Sequence, residues 1–235
     1  MGFFGDFFES GCFKRSLNAI FVVLVPKKGG VEELKDFRPI SLVGGLYKLL
    51  AKVLANAQEA GGHFGVRFSA CFCGGRGGRQ ILDAVLIVNE AINSRLKDNL
   101  RGLLCKLDIE KAYDHVHWNC IIAMMDKIGF GSKWLGWIRW CISTVHFFVL
   151  VNGTPSGFFS SSKGLRQGDP LSPYLFILVM EILSCLLSRA KDGGFIKGFR
   201  VIERNVVGVE VSHLFFVDDI LIFCDASREN LEYLS

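Results

Sequence analysis

Three carboxylates carry the pattern that points most directly to chemistry. In HLFFVDDILIFCD, residues 213–225, Asp218 and Asp219 stand between two apolar runs, 214–217 and 220–223. Phe, Val and Ile favour extended backbone, so the stretch reads as two short strands forming a hairpin with the acids at its tip. Burying adjacent carboxylates is costly unless something positive compensates them. A divalent cation held by hard oxygen ligands is such a compensation. A polar turn would account for the same two residues, because Asp is a common turn residue. The second acidic stretch, LDIEKAYDHVHW (107–118), sets Asp108 at the end of a strand. If Asp108 meets Asp218 and Asp219 in the fold, the three can hold two divalent ions. Two ions about 4 Å apart clamp an in-line phosphoryl displacement, one at the attacking hydroxyl and one at the leaving oxygen. Glu110 and Asp114 compete with Asp108 for the ligand role, and a strand-end Asp in water is the plain alternative.

Other candidates point less sharply. His115 and His117 are alternate residues, which could suggest a metal pair, but a solvated or packed role fits better. Trp134, Trp137 and Trp140 recur at helical spacing, which marks a core stripe more often than a base-stacking platform. GGRGGR (74–79) is too short for an RNA-binding RGG tract. The eight Cys are scattered, with no CxxC pair, and several lie in apolar runs. They read as reduced thiols of a cytosolic or nuclear protein.

The elements that would carry these residues follow from composition and pattern. The chain has 235 residues, half of them hydrophobic and 21 of them Phe, enough to bury a substantial core. Its net charge of +4 permits a nucleic-acid partner without demanding one. No run reaches the roughly 18 uninterrupted apolar residues of a membrane span, so no membrane partner is expected. AIFVVLVPKKGG (19–30) reads as a strand ending at Pro26, and 33–42 as a loop. Ser41 is expected to cap a helix through residue 60, with Leu42, Leu46, Leu49, Leu50 and Val53 on its core face. Residues 60–78 hold seven glycines and break the pattern. Helices are expected over 79–97, over 116–130 with a stop at Gly129, from Ser132, and over 170–191. Strands are expected at 102–108, buried, and at 145–153, running into an Asn-Gly turn. Two short strands precede the acidic hairpin. The sum is an α+β pattern without regular βαβα alternation.

The blocks LNAIFVVLVPKK, DFRPISLVGGLYKLLAKVLAN, RQILDAVLIVNEAI, LDIEKAYDHVHW, GLRQGDPLSPYLFIL and HLFFVDDILIF cover most of residues 17–225. In this order the chain resembles the reverse transcriptase domain of non-LTR (long interspersed element type) retrotransposons, particularly the plant kind. The resemblance implies a right-hand polymerase with fingers over 1–100 and a palm over 101–235, the palm a small antiparallel sheet backed by helices. It implies RNA-directed DNA synthesis on an RNA template and a DNA primer, with dNTPs as substrates and two Mg²⁺ ions, or Mn²⁺ in their place. Asp108 and Asp218 match the metal-bridging carboxylates, and Asp219 the third acid. Tyr113 matches the bulky residue that fills the space of a ribose 2′-OH, which separates deoxynucleotides from ribonucleotides. Its alternative is a core aromatic. Lys27 and Arg38 match fingers residues at the incoming triphosphate, where the fork of Arg pairs bidentately with phosphate oxygens. Gln167 and Gly168 match the loop packing on the nascent pair and template, and Arg166 is expected near backbone phosphate.

The chain departs from the family pattern in four places. Val217 stands where the family usually has Ala. Residues 57–78 keep only a trace of a Gln-Ser-Ala-Phe-like segment, in Phe68–Phe72, which puts template grip in question. The family's thumb and the endonuclease usually placed ahead of this domain are not expected within these residues, and whether a partner supplies either stays open. Two further readings stay open: a catalytically inactive remnant of an element, and a non-catalytic RNA-binding module.

Overall fold

The computed structural model describes residues 3–10, 18–30, 32–60, 81–203, 206–216 and 219–227. Contacts divide the chain into two compact units, each assembled from two separate stretches. The first comprises Met1–Gly65 and Tyr113–Val179, the second Val66–Ala112 and Met180–Ser235.

The first unit holds a four-stranded sheet in the order β2-β1-β4-β5. Strand β1 (Ala19–Pro26) pairs antiparallel with β2 (Phe37–Val43) and parallel with β4 (His146–Val151). β5 (Thr154–Phe159) closes a hairpin on β4. The hairpin turns at Asn152 and Gly153, with φ of 50° and 79°. Positive φ at both turn positions is what the expected Asn-Gly turn requires. Ile20, Val22, Val145 and Phe147 form the core of this sheet, with Val43 packed on it.

The segment expected as a loop over 33–42 is a short 3₁₀ turn, Leu34–Asp36, followed by β2. The loop reading rests on Pro39 biasing Arg38 to an extended backbone, which a strand satisfies equally well; what Pro39 takes from a strand is one ladder hydrogen-bond donor. An edge strand tolerates that loss, and β2 lies at the sheet's edge. Ser41 therefore sits in a strand and does not cap the helix, which is α2 (Gly45–Ala60).

The buried face of α2 is Tyr47, Leu50, Ala51, Leu54 and Ala55. Leu46, Leu49 and Val53, expected on the core face, are 46%, 48% and 52% exposed, and Leu42 of β2 is exposed as well. α4 (Trp118–Ile128) ends at Gly129 with φ of 98°, as expected. α5 (Ser132–Ser143) starts at Ser132, as expected, with Gly131 as its N-cap. Trp137 and Trp140 of α5 are buried and pack on Phe7 of α1 (Phe3–Ser10), confirming a core stripe.

In the second unit, β3 (Gly102–Asp108), β9 (Asp219–Asp225) and β8 (His213–Phe216) form an antiparallel sheet in that order. β6 (Phe199–Glu203) and β7 (Val206–Val211) make a two-stranded ribbon. Side chains alternate across a strand, so Asp219, Leu221, Phe223 and Asp225 share one face. Helix α3 (Ile81–Lys97) covers part of that face. Its Ala91 packs with Phe199, Leu214 and Phe223, and Ile87 and Val88 lie against the same cluster. Arg95 of α3 pairs with Asp225 and lies over the Phe199 ring at 4.5 Å. β3 was expected to be buried; it is an edge strand, with Leu104, Lys106, Leu107 and Asp108 exposed.

Helix α6 (Ser172–Asp192) spans the long apolar run. By length and composition alone α6 could cross a membrane. Its Leu175, Phe176, Leu178 and Met180 are buried in the protein. The glycine-rich stretch expected at 60–78 lies, beyond residue 60, outside the described residues.

Candidate active site

The register of one strand pair assembles the acids. β3 and β9 run antiparallel with Gly102 opposite Asp225 and Asp108 opposite Asp219. Directly opposed residues project to the same face with Cβ atoms about 5 Å apart. The ladder is thus tied at one end by Arg95 on Asp225 and carries two carboxylates at the other.

Lys106 lies two residues before Asp108 and so shares its face. Its Nζ stands 2.9 Å from Asp219 Oδ2. An ammonium on a carboxylate beside a second carboxylate is the environment a hard cation would find, so the donor set fits a divalent metal. Asp218 and Val217 form the connection between β8 and β9 and lie outside the described residues. Among the described residues, no three metal-ligating side chains cluster. Asp108 and Asp219 are the pair the structure brings together.

Beneath the sheet, His213 is buried at the start of β8. Its two ring nitrogens each lie 2.9 Å from a hydroxyl, Ser184 Oγ on α6 and Ser212 Oγ. Burial, with the Lys191 charge adding to it, lowers its pKa to about 4. It is a neutral histidine at physiological pH.

The remaining candidates lie in the first unit. Arg38 is exposed on β2 opposite Val25. Lys27 follows β1 and is exposed; its backbone N–H donates to the Asp36 carbonyl at 2.9 Å and its Nζ to the Lys35 carbonyl at 2.8 Å. Lys27 and Arg38 therefore occupy diagonal positions at one end of the β1–β2 pair.

Gln167 and Gly168 are exposed in the loop before α6. The Ser41 N–H of β2 donates to the Gln167 carbonyl at 3.2 Å. Gly168 has φ of +89°, and a Cβ there would meet the Ser41 carbonyl oxygen at 3.1 Å. Both the conformation and the close approach call for glycine.

Tyr113 is half-buried and stacks on Phe176, ring centroids 4.5 Å apart. Its carbonyl accepts from Leu165 N–H at 2.8 Å, and Gly164 N–H donates to the Val116 carbonyl at 2.7 Å. Two loops far apart in sequence are thereby held side by side.

Arg166 is placed differently from expectation. It is buried, and its Nη2 is 2.9 Å from Asp169 Oδ2, 2.6 Å from Tyr47 Oη and 2.7 Å from the Cys141 carbonyl. A guanidinium engaged inside the protein does not present itself to a template phosphate.

Four residues of interest escaped the sequence reading: Lys106, His213, Tyr47 and Asp169. Lys106 was legible in principle, two residues from Asp108 on a strand. So was Asp169, three residues from Arg166. Tyr47 had no local signal, since Arg166 lies 119 residues away, and of the two partners of His213 Ser184 lies 29 residues away.

The family model for reverse transcriptase (RNA-dependent DNA polymerase) matches residues 25–235. This chain belongs to that family. The Transposon TX1 uncharacterized 149 kDa protein of Xenopus laevis is 28% identical over 198 residues, 81% of this chain and 14% of that protein. The Retrovirus-related Pol polyprotein from type-1 retrotransposable element R2 of Popillia japonica is 28% identical over 209 residues, 88% of this chain and 27% of that protein. These relatives place the chain with the reverse transcriptase domains of non-LTR, LINE-type elements, and it spans a minor part of their length.

Among solved structures, telomerase from Candida tropicalis in complex with the TWJ fragment of telomeric RNA superposes with a TM-score of 0.60. At 15% identity it covers 92% of this chain and 39% of that chain. The shared fold is that of reverse transcriptase fingers and palm. Reverse transcriptases are nucleotidyltransferases that generally depend on Mg²⁺.

Proposed function

We propose that this chain carries out RNA-directed DNA synthesis. A primer 3′-hydroxyl attacks the α-phosphate of a deoxynucleoside triphosphate opposite an RNA template, and pyrophosphate leaves. The observation that carries this reading is the register placing Asp108 opposite Asp219 on an open face, with the Lys106 ammonium on Asp219.

Asp108 and Asp219 would hold Mg²⁺, with Asp218 the third acid of the set. Bound there, a pair of such ions supplies activation of the hydroxyl and neutralisation of charge on the leaving oxygen. The chain's own part is positioning, as in other phosphoryl transfers. The Asp108 and Asp219 carboxylates are fixed by a ladder braced at its far end, which spares them reorganisation. Lys27 and Arg38 offer two exposed cations to a triphosphate. Tyr113, held by its stack on Phe176, supplies bulk against a 2′-OH.

Purified protein given a primed RNA template, Mg²⁺ and dNTPs should incorporate nucleotide. Asp108→Asn and Asp219→Asn should each lower incorporation by more than the roughly 10–100-fold typical of partners outside the ligand shell. Incorporation that survives either substitution sinks the reading. RNA binding that ignores Mg²⁺ and survives loss of the acids would support a non-catalytic module instead.

A further inference from the structure

Arg166 and Asp169 bracket the Gln167–Gly168 pair, and both are buried while the pair between them is exposed. The structure shows what holds them. Tyr47 Oη on α2 donates to Asp169 Oδ2 at 3.1 Å and accepts from Arg166 Nη2 at 2.6 Å. Arg166 also donates to the Cys141 carbonyl of α5 at 2.7 Å and, at 3.4 Å, to Asn18 Oδ1 ahead of β1. Its backbone N–H donates to Ser172 Oγ at 3.0 Å, and Asp169 Oδ1 accepts from Leu171 N–H at 3.0 Å.

Burial raises the Tyr47 pKa well above its ordinary value and pushes Cys141 up to about 12, so both are neutral. The cluster thus holds one cation and one anion in balance. A buried ion pair seldom adds stability over apolar packing of the same shape. Its worth here lies in geometry. Between the two buried residues, the Gln167 carbonyl accepts from the Ser41 N–H, and a Cβ added at Gly168 would come within 3.1 Å of the Ser41 carbonyl oxygen.

We propose that Arg166 is a positioning residue: with Tyr47 and Asp169 it clamps the Gln167–Gly168 turn against β2, and the clamp sets the affinity for the incoming deoxynucleoside triphosphate. The second half rests on the polymerase reading; the clamp itself does not.

Arg166→Ala would strand the Asp169 charge and risks misfolding, so the test uses Tyr47→Phe, which removes one hydroxyl, and Arg166→Lys, which keeps the charge and loses the fork. A hydrogen bond to a charged group is worth about tenfold in an equilibrium. Hydrogen exchange at the Ser41 and 167–169 amides should speed up about tenfold in either variant, with exchange in β3 and β9 unchanged. KM for dNTP should rise by a similar factor, with kcat and primer–template affinity little changed. The double variant should be no worse than the worse single one, because both break the same contact.

Unchanged exchange at those amides overturns the clamp. Faster exchange with unchanged KM overturns its link to nucleotide affinity. A loss of primer–template affinity with a shallower salt dependence would return Arg166 to phosphate contact. Should the parent protein make no DNA and bind no Mg²⁺–dNTP by titration calorimetry, the polymerase reading and its nucleotide link fail together, and the clamp is decided by exchange alone.

Discussion

Two carboxylates directly opposed across an antiparallel pair repel each other, and Lys106 offsets part of that repulsion at Asp219. The pair is solvent-exposed on the Lys side, so its contribution to stability is under about 1 kcal/mol. Lys106→Met should leave the fold intact and lower Tm slightly in metal-free buffer. Added Mg²⁺ should then raise Tm more in the variant than in the parent, read by calorimetry. An equal or absent Mg²⁺ response would show that the ammonium does not share the cation's place.

His213 gives a second test at this scale. Its folded pKa is about 4, below the ordinary value near 6.5, so the unfolded chain binds its proton first as pH falls. Stability is full above pH about 6.5 and declines toward pH 4, by a few kcal/mol over the window. His213→Gln should flatten that part of the profile in urea titrations at pH 5 and pH 7.5. A parallel decline in the variant would assign the pH dependence elsewhere.

Strand and helix types were legible where period and punctuation agreed. β1 ends at the Pro26 expected to stop it, the Asn152–Gly153 turn joins β4 to β5, and Gly129 ends α4. The failures have a common cause. Pro39 and the α2 stripe were judged from local chemistry, and both are decided by neighbours. An edge position makes Pro39 harmless, and the partners of the Tyr47 hydroxyl turn that face inward. β3 was judged buried from its apolar run, but no strand pairs with its outer edge among the described residues. Close packing gives a further test: a Cβ at Gly102 would lie 2.5 Å from Phe199 Cζ. Gly102→Ala should cost about 1–3 kcal/mol in chemical denaturation. Because Gly102 and Asp108 lie on one strand, it should also lower Mg²⁺-dependent activity. An unchanged midpoint would mean that the Phe199 ring moves aside freely.

Each unit is built from stretches that the other interrupts. β1 takes its parallel neighbour from residues 146–149, and Arg95 of α3 takes its partner from residue 225. Residues 1–100 and 101–235 made separately should therefore show poor amide dispersion by NMR, and mixing them should restore it. A folded, dispersed spectrum from either half alone would refute the interleaving.

The chain's own order of residues determined the α+β class, most strand and helix types, the resemblance carried by six ordered blocks, and the candidacy of Asp108 and Asp219. These are local properties: backbone preference, period, and carboxylates at strand ends. Only the tertiary structure decided that Asp108 faces Asp219, that Lys106 stands on the pair, and that Arg166 turns inward to Asp169 and Tyr47. Asp108 and Lys106 meet Asp219, and Arg166 meets Tyr47, across more than a hundred residues, so no short window of sequence contains both partners.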